Sequence, residues 1–105
     1  MITEVNDGNF KEEVLDYDGV VIIDLYADWC GPCKMMSPIM EELAAETQDQ
    51  VKVAKMDVDN SAATAARFNV LSIPTILIFK KGELVDQQVG VTPKQILQEK
   101  LASLS

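Results

Sequence analysis

Apolar residues fall in short blocks along the chain, and the spacing inside each block predicts the element it builds. Val20 to Ala27 is apolar at nearly every position and rich in β-branched residues, the pattern of a strand buried on both faces. Ahead of it, Phe10, Val14 and Leu15 share one face of a short helix, with Asn9 as its cap and Gly19 as its end. Met36, Ile39, Met40 and Leu43 recur at i, i+3, i+4 and i+7, which predicts a helix packed on a core. Pro38 lies within that helix, so a kink is expected there.

Val51 to Val58 reads as the next strand, ended by Asp59 and Asn60. Asn60 or Ser61 then opens a short Ala-rich helix that reaches about Phe68. Thr75 to Lys80 and Glu83 to Val89 are two strands around Lys81-Gly82, which predicts an antiparallel hairpin. In the last helix Thr92 is the expected cap, Pro93 the first helical position and Gln95 the partner in a capping box. Leu97, Leu101 and Leu104 form its buried stripe, and a short leading strand is expected at Ile2 to Glu4.

This order of elements implies an α/β domain: a central mixed β-sheet flanked by helices on both faces, in three layers. The crossover between the two long strands should be right-handed. With 105 residues and no linker, repeat or low-complexity stretch, residues 1–105 are expected to form one domain. Apolar residues make up 48% of the chain, enough for a core that needs no staple or metal. The five methionines read as core filler, chiefly in the second helix.

Charge narrows the possible partners. The net charge of −8 and the absence of any basic run argue against nucleic acid as a ligand. The polar, acidic N-terminus has neither basic nor apolar signal features, and the longest aliphatic run falls far short of the ~20 residues that span a bilayer. A cytoplasmic protein with no membrane association is the expectation, and a monomer with it. In a reducing compartment, two close cysteines point to redox catalysis or metal binding rather than to a structural bridge.

Cys30 and Cys33 carry that chemistry. Disulfide exchange needs a thiolate to attack and a second thiol close enough to resolve the mixed disulfide. At a helix start the unpaired N–H groups and the helix dipole stabilise a thiolate on Cys30. Cys33, one turn inside, is expected to be less exposed. Cys30 is therefore the candidate nucleophile and Cys33 the resolving thiol. A structural disulfide closing so short a loop contributes only about 2 kcal/mol. A closed zinc site needs four ligands, and this chain has two cysteines and no histidine.

Asp24 interrupts the aliphatic strand between buried neighbours, so desolvation should raise its pKa. The bland alternative is an acid at a strand end that reaches water. Lys55, flanked by Ala54 and Met56, reads from its own surroundings as a solvated strand lysine.

The segment Trp29-Cys30-Gly31-Pro32-Cys33-Lys34 resembles the active-site signature of the thioredoxin family. An acid six residues before the first cysteine, Ile73-Pro74-Thr75, Gly82 and Val89-Gly90 also resemble that family, in its order, from about Phe10 to the end. The resemblance implies a thioredoxin fold and a protein dithiol–disulfide oxidoreductase acting on disulfide-containing client proteins. It implies a thioredoxin reductase as electron donor and no cofactor beyond the redox-active Cys30–Cys33 disulfide; no Gly-rich dinucleotide fingerprint is present. The lack of a histidine between the cysteines favours a reductant.

Carried over by resemblance, Asp24 accepts the proton of Cys33 and Lys55 moderates the charge of Asp24. Trp29, Gly31, Pro32, Ile73, Pro74 and Gly90 form an apolar docking surface. Main-chain groups around Ile73 and Thr75 pair with an extended client strand. Pro74 is compatible with a cis bond facing the disulfide. Tyr26 and Ser72 depart from the family pattern, where tryptophan or phenylalanine and glycine are common. Two other functions compete with this reading: a non-redox docking module on the same fold, and a dimeric metal or iron–sulfur carrier.

Overall fold

The aliphatic run becomes β2 (Val20–Tyr26), the middle strand of a five-stranded sheet in the computed structural model, which describes residues 1–47 and 50–104. The other strands are β1 (Thr3–Val5), β3 (Lys52–Asp57), β4 (Thr75–Lys80) and β5 (Glu83–Val89). Their spatial order is β1-β3-β2-β4-β5. β1, β3 and β2 run parallel, β4 runs antiparallel to β2, and β5 antiparallel to β4. This is the mixed sheet expected from the alternation of elements.

Helices cover both faces, which is why β2 is buried from Val21 to Leu25. Because side chains alternate along a strand, Val21, Ile23 and Leu25 meet Phe10, Val14, Met56 and Phe79 on one side. Phe10, Phe68 and Phe79 pack there with ring centroids 5.2 to 5.7 Å apart. On the other side Ile22, Val53, Ile76 and Ile78 lie under Met36, Met40 and Leu43 of α1 (Cys33–Thr47) and Leu97 of α3 (Lys94–Ala102). Leu101 and the partly buried Leu104 complete the stripe, and Pro38 lies inside α1.

Local capping differs from the sequence reading at three helix starts. The Asn9 side chain turns backward, accepting from Asn6 N–H (2.8 Å) and donating to the Glu4 carbonyl (3.0 Å). The helix it was expected to cap is a single wide turn, Lys11–Leu15, closed by Asp16 N–H on the Lys11 carbonyl at 2.8 Å. Ser61 precedes α2 (Ala62–Arg67) without a side-chain bond. Asp7, from the loop after β1, caps it instead, accepting from the Thr64 N–H (2.9 Å), the Thr64 hydroxyl (2.6 Å) and Ala63 N–H (3.3 Å).

The capping box expected from Thr92 and Gln95 does not form. The Thr92 hydroxyl donates to the Gly90 carbonyl (3.1 Å), and Pro93, not Thr92, stands at the head of α3. Thr92 is buried, and its N–H is spent on Met36 Sδ at 3.3 Å.

The hairpin is as expected. Lys81 (φ 50°) and Gly82 (φ 82°) both take the left-handed conformation that a two-residue turn between twisted strands requires. Among the methionines, Met36, Met40 and Met56 fill the core, whereas Met1 and Met35 are exposed, against the reading of all five as filler.

Candidate active site

The parallel strands β2 and β3 end together, at Tyr26 and Asp57, and β4 begins beside them at Thr75. The cysteines are placed at this end. A turn after β2, closed by Cys30 N–H on the Ala27 carbonyl (3.1 Å), carries Cys30 to the start of α1. Gly31 and Pro32 are exposed, and their carbonyls receive the N–H groups of Lys34 and Met35, which tightens the first turn of the helix.

Cys30 and Cys33 form a disulfide, with Cα atoms 5.3 Å apart. The Cys33 N–H is a first-turn amide with no helical carbonyl to bond, and it points at Cys30 Sγ at 3.2 Å. Negative charge arriving on Cys30 Sγ therefore meets a donor already aimed at it. Exposure does not separate the two residues, contrary to expectation: Cys30 is 5% and Cys33 4% exposed. Both are covered because the disulfide lies under Tyr26, Ala27 and Ile73.

Facing the disulfide is the Ile73–Pro74 peptide, which is cis. The Ile73 carbonyl oxygen lies 3.9 Å from Cys30 Sγ. Gly90 N–H donates to the Pro74 carbonyl (2.8 Å) and the Thr75 hydroxyl to the Ser72 carbonyl (2.6 Å), which ties the loop to β5 and to itself. Pro74 and Thr75 are buried, and Ile73 and Gly90 are half-buried, Gly90 with φ 92°. Among the described residues the Ile73 main-chain N–H and carbonyl make no backbone hydrogen bond.

Trp29 is 71% exposed beside Cys30 and donates its indole N–H to Asp59 Oδ2 at 2.9 Å. Met35 and Val91, close in sequence to Cys33 and Gly90, are also exposed apolar side chains, and neither was found from sequence. Their blocks signalled a helix and a strand end, and the outward face of each is visible only once the elements are packed. The Trp29–Asp59 bond was missed too, because it joins residues 30 positions apart.

Asp24 is 4% exposed in the middle of β2, which removes the alternative of a strand-end acid reaching water. Its Oδ1 has no hydrogen-bond partner among the described residues. Burial lifts its pKa from 3.8 to about 7, opposed by the charge of Lys55. Lys55 is its register partner on β3, half-buried and on the same face of the sheet.

No salt bridge joins Asp24 and Lys55 among the described residues. A cleft of about 260 Å³ links Asp24 to Cys33, and Tyr26, Asp28, Ser37 and Lys55 line it as well. Burial and the surrounding carboxylates of Glu4, Asp57, Asp28 and Asp24 raise the pKa of the Tyr26 phenol, so it stays neutral.

A disulfide at a helix start, a dry carboxyl behind it and an apolar rim in front make an arrangement for passing electron pairs between sulfurs. No group of three or more metal-binding side chains occurs among the described residues.

The comparisons agree with this chemistry. The thioredoxin family model matches residues 1–103. The thioredoxin of Staphylococcus haemolyticus is 48% identical over 100 residues, covering 95% of this chain and 94% of its own. That of Rickettsia typhi is 48% identical over 97 residues, 92% of each chain. The thioredoxin of Bacillus subtilis is 47% identical over 98 residues, 93% of this chain and 92% of its own. The chain belongs to the thioredoxin family and is a dithiol–disulfide oxidoreductase.

Proposed function

We propose that the chain is a general protein-disulfide reductase in which Cys30 attacks and Cys33 resolves. The Cys30 thiolate attacks one sulfur of a client disulfide, forming a mixed disulfide and releasing the other client sulfur as thiolate. The Cys33 thiol then gives its proton to Asp24 through the cleft and attacks Cys30 Sγ. The second client thiolate leaves, and the Cys30–Cys33 disulfide remains. Each turnover moves two electrons to the client, and a reductase returns two to the pair.

The observation that carries the assignment of roles is the Cys33 N–H directed at Cys30 Sγ. It favours charge on the first sulfur over the second. The pKa of Asp24 near 7 supports the second step, since an acid poised there can take up a proton and return it at neutral pH. Lys55 opposes that shift and keeps the ionised form within reach.

Trp29, Gly31, Pro32, Ile73, Pro74 and Gly90 are proposed to receive the client. The main-chain groups of Ile73, which make no backbone hydrogen bond among the described residues, offer an extended client strand its hydrogen bonds, with Thr75 continuing the edge.

Thioredoxins in general act on protein disulfides and are recharged by a reductase. For this chain a thioredoxin reductase is the proposed donor, with no resident cofactor beyond the disulfide. A single domain over residues 1–105, acting as a cytoplasmic monomer, completes the reading; a dithiol reductant works where thiols are kept reduced. No helix among the described residues is long and apolar enough to cross a membrane.

The test is reduction of insulin by the pre-reduced chain, run beside Cys30→Ser and Cys33→Ser, with turnover read in excess dithiol and trapping read after the dithiol is removed. The expected result is turnover by the native chain, none by Cys30→Ser, and a trapped mixed disulfide with Cys33→Ser. Activity surviving Cys30→Ser, or trapping by Cys30→Ser instead, would overturn the roles. Inactivity of the native chain would move the reading to a docking module.

A further inference from the structure

The apolar rim around the disulfide has two sides, and each is tied to a neighbouring loop by one hydrogen bond. On one side Gly90 N–H holds the Pro74 carbonyl at 2.8 Å. On the other stands Trp29, whose ring is mostly in solvent. An exposed indole without a tether samples several rotamers, and a partner that covers it must freeze them. Here the indole N–H is bonded to Asp59 Oδ2 at 2.9 Å.

Asp59 is itself braced. It lies in the tight turn Val58–Asn60 that follows β3, and its own N–H donates to Asp57 Oδ1 at 2.9 Å. Asp59 makes no ion pair among the described residues, so its carboxylate is committed to the indole. The mounting therefore runs from the end of β3, through a side-chain-capped turn, to the ring beside Cys30.

We propose that Asp59 is a positioning residue for client recognition: its carboxylate holds the Trp29 indole as a pre-set shelf on which the polypeptide flanking a client's cysteine packs. The proposal rests on the reading of Trp29 as a docking residue. Asp59 reaches neither sulfur and acts through the ring alone, so its effect falls on client affinity rather than on the exchange chemistry.

Trp29 is the only tryptophan of the chain, so its fluorescence reports the ring directly. The experiment compares Asp59→Ala, Asp59→Asn and Trp29→Ala in the reduced full chain. It reads Trp29 anisotropy, acrylamide quenching, and KM and kcat for insulin and for glutathione disulfide.

Asp59→Ala is expected to lower the anisotropy, increase quenching and raise KM for insulin about 3–10-fold, the cost of ordering one side chain on binding. Its effect on kcat should be the smaller, and glutathione disulfide, with little chain to pack, should feel the change less. Asp59→Asn keeps an acceptor for the indole N–H and should restore both anisotropy and KM.

Native anisotropy and native KM in Asp59→Ala would overturn the proposal. So would an Asp59→Asn variant as impaired as Asp59→Ala with its ring still held, since charge would then be what clients read. If Trp29→Ala leaves KM for insulin at the native value, the docking reading fails, and the recognition role of Asp59 with it. A Trp29→Ala variant that loses affinity, beside an Asp59→Ala variant that does not, removes the positioning role alone.

Discussion

Replacing Asp24 by asparagine keeps the shape of the side chain and removes its titration. In the native fold the carboxyl is 4% exposed, and burial moves its pKa from 3.8 to about 7. Below 3.8 both folded and unfolded chains hold the proton, and ionisation of Asp24 has no effect on stability. As pH rises above 3.8 the unfolded chain ionises first, so the fold loses stability until the native carboxyl ionises as well, near 7. Roughly three decades of proton concentration at about 1.4 kcal/mol each come to about 4 kcal/mol at pH 7 and above. The buried amide keeps part of the desolvation cost, so Asp24→Asn should gain about 2–4 kcal/mol at pH 8.

At pH 4.5 the advantage of Asp24→Asn should be smaller by about 3 kcal/mol, since the cost of the buried amide is the same at both pH values. Guanidinium unfolding of the oxidised native and Asp24→Asn chains at the two pH values measures both differences, and other titrating groups cancel between them. The same variant should slow client release in the insulin assay, because Cys33 then lacks its proton acceptor. A stability difference that is equal at pH 4.5 and pH 8 would refute the argument, for the titration would then lie elsewhere. So would an asparagine variant less stable at pH 8 yet fully active.

Three further substitutions test the scaffold. A Cβ at Gly82 would lie 2.4 Å from the Leu15 carbonyl oxygen at φ +82°, so Gly82→Ala should cost about 2–4 kcal/mol in denaturant unfolding; Gly31→Ala, with nothing within 4 Å, should cost nearly nothing. Hydrogen bonds from Thr64 hold the Asp7 carboxyl below its ordinary pKa of 3.8, so its contribution is present above that value and fades as pH falls through the lowered one. Asp7→Ala should therefore speed amide exchange at Ala63 and Thr64 near neutral pH, and a native exchange rate at both amides would count against the cap.

Elements with dense apolar pattern were legible in the sequence because burial alone defines them. Val20–Tyr26, the stripe of α1 and the Lys81-Gly82 hairpin all follow from which positions must leave water and which backbone needs a left-handed turn. Helix starts were not legible in the same way. Asn9, Ser61 and Thr92 each stand where a capping residue belongs, yet Asn9 bonds backward, Thr92 bonds the Gly90 carbonyl, and Asp7 reaches α2 from 57 positions away. Capping preference is local, and a single long-range acceptor of better geometry overrides it.

The same division holds at the site. Cys30, Cys33 and Asp24 announce themselves by their type against an apolar background. Asp59 does not, because its place at the site depends on how separate elements pack.

Position 24 is also the place on β2 where an acid can be both dry and connected to the cysteines. One residue to either side, Ile23 and Leu25 face the opposite core with Phe10 and Phe79, away from α1. Two residues earlier, Ile22 shares the face of Asp24 but is sealed beneath Met36 and Met40, outside the cleft. Two residues later, Tyr26 lines the cleft but is only half-buried, so a carboxyl there would be less desolvated than Asp24 and would stand among the carboxylates of Glu4, Asp57 and Asp28. An acid at position 24 costs the fold stability at neutral pH, and no neighbouring position on the strand would supply a proton acceptor of matched strength beside Cys33. The strand therefore carries its polar residue where the cleft reaches it, and the fully buried aliphatic side chains around it, each contributing about 1.5–3 kcal/mol, offset the loss.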